Sequence, residues 1–185
     1  MPGSGKTTVG RIVADLLGCR FLDLDAEIVR QQRRSIPEIF EAEGEEGFRK
    51  IEGRTLRSLV SPGAKESPVP TLVLALGGGT VLKPGSARIV REDTLCIYLR
   101  TRVDTLAGRL ADASGRPLLD TDGQEAPLSS RGGLRPTKGS DDLTHRLETL
   151  LSQRSPAYEA TARLILDTDE NHPEDIASEI IVTAL

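Results

Sequence analysis

The stretch "PGSGKTT" (residues 2–8) constrains this chain more than any other. A glycine-rich turn ending in Gly5-Lys6-Thr7 runs straight into Val9, Ile12, Val13, Leu16 and Leu17. Their spacing of i, i+3, i+4, i+7 and i+8 places them on one face of a helix, and Gly18 stops it. Successive backbone N–H groups of residues 3–8 at a helix N-terminus form a nest for an anion, where the helix dipole adds partial positive charge. In the pattern G-x-x-x-x-G-K-[ST], the lysine reaches the β- and γ-phosphates of a nucleotide and the hydroxyl binds Mg²⁺. Lys6 and Thr7 fill those places, with Gly3, Ser4, Gly5 and Thr8 completing the cradle. The bland alternative is a tail that matches the motif by chance, and the amphipathic helix directly after it argues against that. The first glycine of the pattern would fall one position ahead of Met1, and the strand that normally leads into such a loop would precede it.

The rest of the chain alternates strands with helices. "RFLDLD" (20–25) reads as a strand with Leu22 and Leu24 on one side and Phe21, Asp23 and Asp25 on the other. A polar helix follows, then "SIPE" (35–38), a capping box with proline tolerated in the first turn. The next helix carries Phe48, Ile51, Leu56 and Leu59 on one face. "TLVLAL" (71–76), "TLCIYL" (94–99) and "RLILD" (163–167) are apolar runs of strand length, as parallel strands buried on both faces require. This order predicts an α/β fold with a parallel sheet between helical layers. Residues 61–70 read as a turn-rich loop, and residues 113–142, rich in Gly, Pro, Ser and Asp, as a lid followed by an insert.

Composition narrows the class. The 185 residues suit one domain, 1–185, and with no Trp and 3% aromatics its core is built from Leu, Ile, Val and Ala. No apolar run approaches the roughly 20 residues that span a bilayer. A net charge of −4 gives no global field to attract nucleic acid. Cys19 and Cys96 lie beside apolar runs and read as reduced core thiols of a cytoplasmic protein rather than ligands or a redox pair.

Three further patterns bear on chemistry. Asp23 and Asp25, two apart at a strand's C-terminal end, would project from one face where open parallel sheets place ligands, or simply mark a turn. Gly77-Gly78-Gly79 after a buried strand permits close approach to a ligand, or a tight turn. Arg49, Arg109, Arg116 and Arg154 stand among 24 basic residues, and spacing alone does not single them out. From the residues alone, the chain is a P-loop phosphotransferase or a nucleotide hydrolase.

The segments "GSGKTTVGRIVADLLG", "FLDLDAEI", "SIPEIFEAEGEEGFRKIE", "LALGGGTV", "GRPLL" and "QRSPAYEATA", in this order, resemble the shikimate kinase family. The match leaves out 61–70 and about 120–140. The resemblance implies a P-loop three-layer αβα fold with a five-stranded parallel sheet. Four strands are visible, so the first, which lies mid-sheet in the family, would be the missing one. It implies ATP-dependent phosphorylation of the 3-hydroxyl of shikimate, with Mg²⁺, by a cytoplasmic monomer that binds neither nucleic acid nor membrane. By position, Asp25 would hydrogen-bond the accepting hydroxyl, and Arg49 and Arg154 would clamp the substrate carboxylate with their guanidinium forks. Gly77, Gly78 and Gly79 would line the substrate pocket, and Asp23 would help hold Mg²⁺. Arg116 would come down onto the phosphates, Arg109 would pack near adenine and Asn171 would sit at its edge. Two other readings compete. One is a different small-molecule kinase of this fold, such as a gluconate kinase, which the Asp-x-Asp, Arg49 and triple-glycine set does not favour. The other is a non-catalytic kinase-like binding protein, against which every catalytic position that can be checked is filled.

Overall fold

The computed structural model describes residues 1–60, 70–115 and 140–184. The first helix, α1 (Lys6–Leu17), buries Val9, Val13 and Ala14 and leaves Leu16 exposed. Gly18 ends it at φ 63°, a left-handed value that glycine adopts without a Cβ penalty, and its N–H bonds the carbonyls of Ala14 and Asp15. Strand β1 (Arg20–Asp23) follows, then α2 (Leu24–Gln32) and the long α3 (Ile36–Leu59). The capping box forms as the sequence predicts. Ser35 accepts from the Glu38 N–H while the Glu38 carboxylate takes the Ser35 N–H at 2.6 Å, an arrangement worth about 1 kcal/mol. The chain continues through β2 (Leu72–Ala75), a 3₁₀ turn (Thr80–Leu82), α4 (Pro84–Asp93), β3 (Ile97–Arg100), α5 (Val103–Gly115), α6 (Ser140–Thr161), β4 (Leu164–Asp167) and α7 (Pro173–Ala184).

Four expectations change in detail. The "RFLDLD" strand stops at Asp23, because Asp23 caps α2: its Oδ1 accepts from the N–H groups of Asp25, at 2.9 Å, and Ala26, at 3.2 Å. Asp25 therefore sits in the first helical turn and shares no strand face with Asp23. The local capping bond outweighs the alternation, and Leu24, fully buried, anchors the start of α2. The third strand begins later than expected, at Ile97, because α4 runs to Asp93 and the Thr94 hydroxyl bonds back to the Val90 carbonyl. Within α3, Gly44 takes φ 66° and ψ −175°, kinking one expected helix into two pieces. The helices flanking the expected lid reach Gly115 and Ser140, so the ends of the 113–142 stretch are helical. Residues 116–139, including Arg116, and residues 61–69 lie outside the described residues.

The strands form two parallel pairs. β1 pairs with β2, Arg20 opposite Leu72 through Asp23 opposite Ala75, and β3 pairs with β4, Ile97 opposite Leu164 through Arg100 opposite Asp167. Among the described residues no ladder joins β2 to β3. Between them lies a cavity of about 490 Å³, lined by Leu72, Leu74 and Leu76 on one side, Cys96, Ile97 and Leu99 on the other, and α1. Most of its lining side chains are apolar.

Helices cover both faces. Val9 and Val13 of α1 pack with Leu99, Leu166, Ile176, Ala177 and Ile180 on one side. Leu24, Ile28, Ile39, Phe48, Leu56, Tyr98, Leu106, Leu147 and Tyr158 form the larger core on the other. A fully buried leucine or isoleucine contributes about 1.5–3 kcal/mol, so these helices hold the strand pairs that no ladder connects. α1 touches both pairs. Gly10 lets it lie against β1 and β2, because a Cβ there would come within 2.7 Å of the Phe21 ring and 3.6 Å of Val73.

Candidate active site

The phosphate loop has the backbone its glycines suggest. Gly3 and Gly5 hold φ at 75° and 84°, values that favour glycine, and Gly5 caps the N-terminus of α1. Ser4 is buried and donates its hydroxyl to the Met1 carbonyl at 2.9 Å; Lys6 Nζ donates to the same oxygen at 2.6 Å. The lysine thus folds back over the loop, its charge held beside the open helix N-terminus. Thr7 and Thr8 follow in the first turn of α1 and are both exposed.

Arg109, on α5, ties this loop to the far end of the strand layer. Its guanidinium donates to the Gly3 carbonyl at 3.3 Å and to the Thr168 carbonyl, just past β4, at 2.6 Å. Asn171 sits nearby in sequence and donates to the Asp167 carbonyl at 3.2 Å, bracing the turn into α7.

The three glycines after β2 each face a different charged residue. A Cβ on Gly77 would lie 3.0 Å from Asp25 Oδ1. On Gly78 it would lie 3.3 Å from Arg154 Nη1, and on Gly79 it would strike the Arg49 guanidinium, 2.9 Å from Cζ. One carboxylate from α2 and two guanidiniums from α3 and α6 therefore converge on a bare stretch of backbone. Side chains in those positions would fill the space a ligand needs. This loop also adjoins the phosphate loop: the Tyr158 hydroxyl touches Met1 Sδ at 3.8 Å and donates to the Gly78 carbonyl at 2.5 Å.

The family model for shikimate kinases matches residues 2–184. The chain belongs to the shikimate kinase family. It is 36% identical over 179 residues to the shikimate kinase of Marinomonas sp. (strain MWYL1), covering 97% of this chain and 85% of that protein. It is 39% identical over 167 residues to that of Chlorobium limicola (strain DSM 245 / NBRC 103803 / 6330), covering 90% and 74%. Among solved structures, the shikimate kinase of Acinetobacter baumannii in complex with shikimate superposes with a TM-score of 0.73 at 33% identity, covering 97% of this chain and 86% of that one. The shikimate kinase of Bacteroides thetaiotaomicron gives 0.75 at 25% identity, covering 99% and 94%.

Within a shikimate kinase frame, sequence reasoning passed over two residues. Glu52, 1% exposed, accepts from Arg49 Nη1 at 2.9 Å and from the Thr80 hydroxyl at 2.8 Å. It fixes Arg49 against the glycine loop, and its i, i+3 spacing from Arg49 was the available signal. Glu45, at 3.6 Å, and the face of Phe48, at 5.1 Å from the Arg49 Cζ, complete that guanidinium's surroundings. The second residue is Tyr158, one helical turn after Arg154.

Proposed function

We propose that the chain transfers the γ-phosphoryl group of ATP to the 3-hydroxyl of shikimate through the residues gathered at the glycine loop. The observation that carries the residue assignment is the convergence of Asp25, Arg154 and Arg49 on Gly77, Gly78 and Gly79, beside the phosphate loop. Two guanidinium forks on one wall suit a carboxylate, and a single carboxylate opposite suits a hydroxyl. A carboxylated polyol of shikimate's shape satisfies both.

Phosphoryl transfer asks little covalent chemistry of a protein and much alignment and charge neutralisation. Lys6 leaves the Met1 carbonyl to meet the β- and γ-phosphates, while the loop N–H groups cradle them. Asp25 orients the accepting hydroxyl and takes its proton late. Arg49, held by Glu52, and Arg154 fix the ring by its carboxylate. Among the described residues no cluster of three His, Cys, Asp or Glu could cage a metal. Kinases hold Mg²⁺ with one or two protein oxygens plus phosphates; the Thr7 hydroxyl and Asp23 would be those oxygens here. When bound there, the ion neutralises charge on the transferring phosphate. Arg116, by resemblance, adds to that charge. Arg109 and Asn171 serve the adenine side.

No helix among the described residues is long and apolar enough to cross a membrane. Cys19 and Cys96 are free, and burial pushes the Cys96 thiol up to about 11, so it stays protonated and inert, as suits the reducing cytoplasm.

An ADP-release assay with ATP and Mg²⁺ tests the assignment across shikimate, gluconate and nucleoside monophosphates. Turnover is expected with shikimate alone. Turnover on gluconate and none on shikimate would overturn it.

A further inference from the structure

Tyr158 stands where the acceptor site's two walls meet. Its hydroxyl donates to the Gly78 carbonyl at 2.5 Å across 80 residues of chain. Arg154 lies one turn earlier on α6, and its Nη1 and the Tyr158 hydroxyl both lie within 3.4 Å of where a Gly78 Cβ would be. The tyrosine is itself rigid: it is buried, and its ring packs on that of Tyr98 with centroids 5.1 Å apart. Burial raises its pKa while the neighbouring Arg154 opposes that rise, so the phenol stays protonated and donates at neutral pH. The middle glycine of the loop is thus pinned, from below, by a side chain of the helix that carries one of the two guanidinium forks.

We propose that Tyr158 is a positioning residue for the acceptor: its bond to the Gly78 carbonyl sets the height of the glycine loop against Arg154, and so the width of the carboxylate clamp. The inference rests on the acceptor reading above. It separates from a packing role because phenylalanine keeps the ring and its contact with Tyr98 and removes only the oxygen, with its bond to the Gly78 carbonyl and its touch on Met1 Sδ. The nucleotide side has its own anchors, Arg109 on the Gly3 and Thr168 carbonyls, and does not depend on this bond.

The test is steady-state kinetics of the full chain and of Tyr158→Phe, with each substrate varied in turn. Loss of one hydrogen bond, about 0.5–1.5 kcal/mol, corresponds to a rise in KM for shikimate of roughly two- to tenfold. The KM for ATP should hold within error, and the melting temperature should fall by no more than the ~2–4 °C per kcal/mol that one lost hydrogen bond carries. Gly78→Ala, which pushes a methyl between the same two side chains, should raise the shikimate KM in the same direction. An unchanged shikimate KM in Tyr158→Phe would overturn the proposal, as would equal rises in both KM values or a larger fall in melting temperature that accounts for the loss. If the unsubstituted chain turns over another acceptor and not shikimate, the acceptor reading fails first and this inference falls with it.

Discussion

The two strand pairs share a length, a direction and a parallel register, yet their C-terminal ends are built differently. At the β3–β4 end the chain bonds to itself across the pair. Arg100 grips Asp167 with two bonds of 2.6 and 2.8 Å, the Thr101 and Thr168 hydroxyls meet at 2.7 Å, and the Arg102 N–H reaches Asp169 at 2.9 Å. At the β1–β2 end the polar groups turn to the helix and the glycine loop that follow the strands. Asp23 caps its own helix, and Asp25 faces Gly77. One half is a brace, the other a working surface. On the proposed assignment the difference would place rigidity under the nucleotide and charge around the acceptor; the joint between the halves is left to α1 and the side-chain cores.

The largest expected effect comes from closing that joint. An apolar strand of five or six residues fused ahead of Met1 can pair with both β2 and β3. About ten backbone groups would gain partners, each contributing on the order of 1 kcal/mol. The melting temperature should rise by well over ~10 °C, and ATP should bind more tightly because the phosphate loop gains an anchor. Thermal melting and nucleotide titration of both lengths decide the matter. No change in either would show that the halves do not need a shared strand.

Next in size is the working surface. Asp25→Asn should lower kcat by about 10²- to 10⁴-fold, with the ATP dissociation constant unchanged. Lys6→Ala should impair turnover and ATP binding together, since the lysine meets the phosphates in both ground and transition states. Near-normal turnover in Asp25→Asn would leave Asp25 as an acidic residue in the first turn of α2, stabilising the helix dipole and nothing more.

The brace should show the smallest effect. The Arg100–Asp167 pair is half exposed, and exposed pairs contribute about 0.2–1 kcal/mol. Asp167→Asn should lower the melting temperature by no more than ~4 °C at low salt and less at high salt. Hydrogen bonding from Arg100 holds the Asp167 carboxyl below its ordinary value of 3.8. The pair's contribution is therefore complete above about pH 4 and disappears as pH falls through the lowered value. A gap between wild type and variant that widens on acidification would contradict that sign. Turnover should be indifferent to the change.

Local signals in the sequence were readable and distant ones were not. The glycine stop of α1 and the capping box at Ser35 rest on neighbours within five residues, and both appear as expected. Counting strands was enough to anticipate an open sheet. The strand end at Asp23 was harder, because an aspartate there fits the alternation of a strand and the cap of a helix equally well. Only the bond to the Ala26 N–H separates the two. The Gly44 kink had no sequence mark to distinguish it from a tolerated helical glycine. Glu52 meeting Thr80, and Tyr158 meeting Gly78, join residues 28 and 80 positions apart. No pattern along the chain encodes such pairs. They follow from how α3 and α6 pack around the loop after β2.

On the proposed assignment, α1 is at once the helix whose N-terminus would receive phosphate and the element that lies against both strand pairs. A nucleotide captured there is tied to the folding equilibrium as much as to catalysis. At a hundred times its dissociation constant a ligand adds about 2.7 kcal/mol to the folded state, and here that increment enters at the seam. The backbone amides of β2 and β3, which face the gap, should therefore exchange with solvent more slowly when a non-hydrolysable ATP analogue is bound. On that reading the substrate would act as a mortar for the sheet it sits on.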